Sequence, residues 1–131
     1  MRTRPVGPAG WKVYVRKAEE FHRLMADAER RGDWNGVGLA AVHTVISAAD
    51  ALVAAFTRQR SASKDHGDAA DLVRDLVLEG ASEKADQAAE VLAAKDVVEY
   101  QARDFEEMEA LATARRADRF LEWVLKALRK S

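Results

Sequence analysis

The chain has 131 residues, of which 48% are hydrophobic and 33% charged, and a net charge of −1; this suits one folded domain and excludes a disordered chain or a fibrous repeat. There is no cysteine, which excludes disulfides, thiolate metal sites and a cysteine nucleophile. The opening Met-Arg-Thr-Arg-Pro-Val-Gly-Pro lacks the apolar core of a secretory signal, and no stretch approaches the roughly 20 apolar residues of a membrane span, so a cytoplasmic protein without membrane contact is expected.

Both prolines, Pro5 and Pro8, fall in the first eight residues, and alanine occurs 26 times. Strong helix formers fill most other positions and no alternating β-branched run is present, which predicts an all-α domain. Residues 1–10 read as an extended or disordered lead-in, and residues 11–131 as the bundle domain. A first helix runs from Trp11 to about Arg31, with Tyr14, Ala18, Phe21, Met25 and Ala28 on one stripe. Gly32 stops it and Asp33 caps a second helix over roughly 34–60, whose apolar face carries Val42, Val45, Ile46, Ala49, Val53 and Phe56. This most apolar element reads as the centre of the bundle, its alanines permitting close neighbours.

A break around Gly67 separates it from a third helix over Asp68–Glu79, with Leu72, Val73, Leu76 and Val77 inward. Gly80 ends that helix, and Ser82 is placed to cap a fourth through Ala85, Ala88, Ala89 and Leu92 to beyond Val97. Asp104 and Glu107 have capping-box spacing before a last helix bearing Met108, Leu111, Phe120, Leu121, Val124 and Leu128. Five helices with short links form an up-and-down, antiparallel bundle.

Charge is unevenly spread. Residues 1–32 carry 8 basic against 4 acidic groups, residues 68–109 carry 4 against 13, and residues 110–131 carry 6 against 2. Acidic solvated faces between basic ones account for this, and a surface devoted to tracking phosphates would be more basic.

Three histidines are present: His22, His43 and His66. Arg60 and His66 straddle the predicted hinge between helices two and three, where a turn can bring them together. Arg16 and His22 have the same spacing, but lie within one helix, where six residues turn their side chains about 120° apart. On helix two, His43, Ser47 and Asp50 share a polar stripe, with Lys95 and Tyr100 as expected partners for Asp50 across the bundle. Taken residue by residue, the plainer readings are a boundary His22, a hydrogen-bonded interior His43, a structural acceptor at Asp50, and a solvated helix end and loop at Arg60 and His66. A Ser–His–Asp hydrolase is a poor fit, because the stripe strings its members along about 10 Å of helix axis. No phosphate loop, zinc cluster or cofactor signature is present, so no cofactor or metal is expected.

The run Gly32-Asp33-Trp34-Asn35, the segment Ala40 to Leu52, the hinge Ser63-Lys64-Asp65-His66-Gly67-Asp68, the pair Glu99-Tyr100 after Lys95, and Phe120-Leu121 after Ala117 together resemble HEPN domains over about residues 11–128. The resemblance implies a four- to five-helix bundle, commonly a homodimer, in a family that includes metal-independent endoribonucleases of toxin–antitoxin and other defence systems. It implies Arg60 and His66 as the catalytic pair acting on RNA phosphodiesters; His43, Ser47, Asp50, Lys95 and Tyr100, from the stripe and its expected partners, are the supporting polar candidates. It also implies an RNA substrate and a nucleotidyltransferase-type antitoxin as partners, with no DNA. Ser61 stands where active members often carry a residue such as Asn. Many members lack the activity, so the alternative is a non-catalytic module for nucleotide or RNA binding or for dimerisation, docking through the alanine-rich face of helix two.

Overall fold

The computed structural model describes residues 3–62 and 67–130, and 78% of the described residues are helical. Among the described residues there are a short strand β1 (Thr3–Pro5), helices α1 (Gly10–Arg31) and α2 (Trp34–Thr57), a strand β2 (Gln59–Ser61), and helices α3 (Gly67–Arg74), α4 (Ala81–Glu99) and α5 (Glu107–Lys130). The all-α bundle expected from composition is what the chain forms.

The turn between α1 and α2 is made by Gly32 at φ 71°. Its N–H reaches Glu29 O at 3.1 Å, and the Asp33 N–H reaches Ala28 O at 2.9 Å, a Schellman closure that turns the chain straight back. Asp33 sits at the α2 N-cap as expected, yet its carboxylate makes no capping bond and pairs with Arg31 at 3.3 Å instead.

Helix α2 is the axis of the bundle and packs against α1, α3, α4 and α5. Its alanines are buried all round, with Ala41, Ala48 and Ala51 among the sealed positions beside Val37, Val42, Val45 and Leu52. A helix apolar on every side belongs at the centre of a fold. By length and composition it is apolar enough to cross a membrane, which the sequence reading missed because alanine and glycine dilute the apolar run. With 67% of that window buried inside the bundle, it is a core helix. The same burial leaves no alanine-rich face of α2 free for docking, and Phe56, assigned to its inner face, is 42% exposed.

The end of α2 departs from expectation. The Thr57 hydroxyl donates back to Val53 O at 2.7 Å and accepts the Gln59 N–H at 3.1 Å, while Arg58 takes a left-handed φ of 59°. The helix therefore stops at Thr57, and Gln59–Ser61 runs on as β2, antiparallel to β1 with Thr3 opposite Ser61, Arg4 opposite Arg60 and Pro5 opposite Gln59. The lead-in is thus partly a strand, extended by a 2.8 Å bond from the Val6 N–H to Arg58 O. Pro5 is tolerated because β1 is an edge strand.

The third helix is shorter than predicted. It ends at Arg74, so Val77 lies in the following link and is fully exposed, while Val73 is sealed and Leu72 and Leu76 are partly buried. Gly80, at φ 80°, rather than Ser82, sits at the start of α4, and Ser82 instead accepts bonds from Arg74. Ala85, Ala88 and Leu92 face inward as expected, whereas Ala89 is exposed.

Helix α5 buries Ala110, Ala114, Ala117, Phe120, Leu121, Val124 and Leu128, which leaves Met108 83% exposed and Leu111 on the flank. The capping box from Asp104 to Glu107 is not formed. Arg103 grips Glu109 through two bonds of 2.9 and 3.0 Å, and Glu109 also accepts the Glu106 N–H at 3.1 Å. Those contacts, the arginine first, hold the Glu109 carboxyl down at about 2. Asp104 accepts instead from Asn35 Nδ2 at 3.1 Å, and Asn35 Oδ1 takes the Phe105 N–H at 2.7 Å, tying the start of α2 to the entry of α5.

A candidate anion cleft between α1, α2 and β2

The polar stripe of α2 reaches the surface in one place. Ser47 and Asp50 are 7% and 9% exposed, and both open onto a cleft of about 500 Å³ completed by Tyr14, Lys17, Glu20 and Phe21 of α1 and by Arg60 of β2. The periodicity of α1 explains its share: Tyr14, Lys17 and Phe21 lie at i, i+3 and i+7, one face toward α2. Lys17 Nζ lies over the Tyr14 ring at 5.5 Å, which settles the cation at the cleft wall.

Arg60 reaches the cleft because α2 ends three residues before it. As a strand residue in the β1–β2 ribbon it is turned toward Asp50 and donates from Nη1 to Ser61 O at 3.0 Å. Burial pushes the Asp50 carboxyl up from its ordinary 3.8 to about 6, against the opposing pull of the Arg60 and Lys17 charges. Among the described residues no hydrogen bond is made to that carboxylate. A carboxyl titrating near 6, flanked by one always-charged guanidinium and one ammonium and beside a buried hydroxyl, can exchange a proton near neutrality while the cations hold an anion.

The expected site residues do not all meet. Ser47, Asp50 and Arg60 come together in the cleft. His43 lies beside it, half-buried and stacked on Phe21 with ring centroids 5.1 Å apart. Lys95 and Tyr100 do not reach Asp50. Lys95 pairs with Glu99 at 3.3 Å, bonds Tyr100 Oη at 3.5 Å and lies over its ring at 5.4 Å, because α4 ends at Glu99 and the two groups satisfy each other there. His66 lies outside the described residues. His22, as its spacing with Arg16 suggested, takes no part: it bonds Asp118 at 2.7 Å and ties α1 to α5, beside an ion pair between Arg115 and Glu29.

Tyr14, Lys17 and Glu20 were not anticipated. Their signal was available, since they lie on the inward edge of α1, but nothing local says that α2 presents a carboxylate opposite them. A second concavity of about 540 Å³, between the last turn of α2, the link before α4 and α5, has an apolar wall of Phe56, Leu78 and Trp123, with Lys84, Lys126 and Lys130 at its rim. Glu79 also lines it, among those lysines, but none of the expected site residues does. Among the described residues no three His, Cys, Asp or Glu side chains gather as a metal ion requires. No family model, no curated protein and no solved structure matches this chain.

Proposed function

We propose that this chain is a HEPN-type bundle whose cleft between α1, α2 and β2 engages RNA phosphodiesters, with cleavage that needs no metal. The observation that carries the reading is the placement of Arg60 and Lys17 around the buried Asp50 carboxyl, which titrates near 6 in an open cleft. Perturbed ionisation beside fixed cations in a concave site is the signature of a functional centre. In the proposed reaction the RNA 2′-oxygen bonds to the adjacent phosphorus while the bond from phosphorus to the 5′-oxygen breaks, leaving a 2′,3′-cyclic phosphate and a free 5′-hydroxyl. Arg60 stabilises the charge that gathers on the phosphorane, and His66 moves the proton from the attacking oxygen toward the leaving one. Lys17 holds the phosphate, and the Asp50 charge keeps both cations turned into the cleft. A second copy of the chain and a nucleotidyltransferase-type antitoxin remain the proposed protein partners.

The apolar concavity at the last turn of α2 favours a second reading, a non-catalytic module whose basic, aromatic groove takes an acidic amphipathic segment of a partner. The two readings separate in one experiment. Purified full-length chain is incubated with a mixed RNA pool in chelator, beside Arg60→Ala and His66→Ala. The enzyme reading expects cleavage by the parent and its loss in both variants, each still folded by circular dichroism. Equal cleavage by all three proteins removes Arg60 and His66 from the chemistry, and no cleavage by any leaves the module.

A further inference from the structure

The ribbon that positions Arg60 also places a second arginine beside it. Residues directly opposite in an antiparallel pair share one face, with Cβ atoms about 4.5–5.5 Å apart, and like charges there are destabilising. Arg4 is opposite Arg60. Neither guanidinium can lose its charge at any ordinary pH. Among the described residues Arg4 is exposed and forms no ion pair, and Arg60 spends one bond on the Ser61 carbonyl. The carboxylates of the cleft, Asp50 and Glu20, belong to α2 and α1, and Lys17 of α1 lines it with them. A two-stranded ribbon of three residues a side has little packing to spare, yet it sets two permanent cations face to face. The bond from Val6 N–H to Arg58 O and the fixed φ of Pro5 hold β1 in that position.

We propose that Arg4 is a second phosphate contact: the N-terminal strand lays its arginine along the mouth of the cleft so that consecutive phosphates of a single-stranded RNA meet Arg60 and Arg4. The proposal rests on the reading of the cleft as an RNA site. The anion relieves the cross-strand repulsion, so binding and ribbon stability are coupled. The coupling gives the arginine an opposite sign in two measurements. Replacing Arg4 by Glu makes a favourable cross-strand pair with Arg60, which strengthens the free protein, and removes a phosphate contact, which weakens binding.

The test uses the full-length chain and a fluorescein-labelled 20-nucleotide single-stranded RNA, with anisotropy titrations over a series of salt concentrations. The parent, Arg4→Glu, Arg4→Ala, Arg4→Lys and Arg60→Ala proteins are compared. In Arg4→Ala the slope of log affinity against log salt falls by about 0.7, the share of one phosphate contact on a single strand. Arg4→Lys keeps the parental slope. Arg4→Glu binds more weakly than Arg4→Ala while its urea midpoint without RNA lies above the parent's. Parental affinity and slope in Arg4→Ala, alongside impaired binding in Arg60→Ala, overturn the role of Arg4 and leave the cleft reading standing. Absence of RNA binding by the parent overturns both. An Arg4→Lys protein as weak as Arg4→Ala, or an Arg4→Glu protein less stable than the parent, shows that Arg4 acts by packing and overturns the proposal.

Discussion

Replacing Asp50 by Asn is expected to stabilise the protein at neutral pH, by an amount that depends on pH in a defined way. Burial moves the Asp50 carboxyl from 3.8 to about 6, even with Arg60 and Lys17 opposing the shift. At about 1.4 kcal/mol per tenfold change in proton affinity, that displacement corresponds to about 3 kcal/mol. Its sign is destabilising. Between pH 4 and 6 the folded chain keeps a proton that the unfolded chain has released, so stability is lost as pH rises through that window. Above pH 6 the folded chain carries the whole cost of a buried charge, and below the unfolded value near 3.8 it carries none. Asparagine has nearly the same shape and never ionises. The advantage of Asp50→Asn over the parent therefore starts near zero at pH 3.5, grows between pH 4 and 6, and levels off at up to about 3 kcal/mol by pH 7.5. Urea unfolding followed by circular dichroism at five pH values reads this directly. With an m value of about 1–3 kcal/mol/M, the midpoint at pH 7.5 rises by about 1 M or more. Because every other carboxylate titrates alike in both proteins, the difference isolates Asp50. An Asn variant less stable than the parent at pH 7.5, or a difference that does not change with pH, refutes the reasoning.

Two further substitutions test the packing at the start of α2. A Cβ at Gly38 meets Val98 Cγ1 at 2.7 Å and Phe105 Cδ2 at 2.9 Å, so Gly38→Ala is expected to cost about 1–3 kcal/mol, as overpacking does, and to lower the thermal midpoint. An unchanged midpoint contradicts the close approach there. Asn35→Ala removes the bonds to Asp104 and to the Phe105 N–H, with an expected loss of about 1–2 kcal/mol and faster hydrogen exchange at the Phe105 amide.

The helical core was legible because its signal is local. The stripe on α1 and the apolar length of α2 follow from periodicity alone, and Ala18, Met25, Ala28, Val42 and Val45 are buried as that pattern requires. Where periodicity rested on the larger residues, it misled. The inward stripe of α5 begins on Ala110 and Ala114, and alanine is a weak signal beside Met108 and Leu111. Val77 failed for another reason: α3 closes three residues earlier, so the helical period no longer applied.

The candidate site was half legible. Ser47 and Asp50 stood out as polar groups on an apolar helix, and Arg60 as a cation near its end. The way they meet did not, because α2 stops at Thr57 without glycine or proline, through a side-chain hydroxyl and a left-handed Arg58. The strand that follows is only three residues long and pairs with a segment more than fifty residues away, a contact no local pattern can announce. Lys95 and Tyr100 were assigned to Asp50 as a buried charge seeking partners. Asp50 keeps its opening to solvent, and the cations facing it come from α1 and β2.

The central claim is that Arg60 in this cleft acts on an RNA phosphodiester, and the chemistry of the product ends tests it most directly. Full-length chain is incubated with a defined single-stranded RNA in chelator, and the fragments are analysed by mass spectrometry. The account predicts 2′,3′-cyclic phosphate and 5′-hydroxyl ends from the parent and intact RNA from a folded Arg60→Ala variant. Intact RNA with the parent, or the same fragments from both proteins, contradicts it.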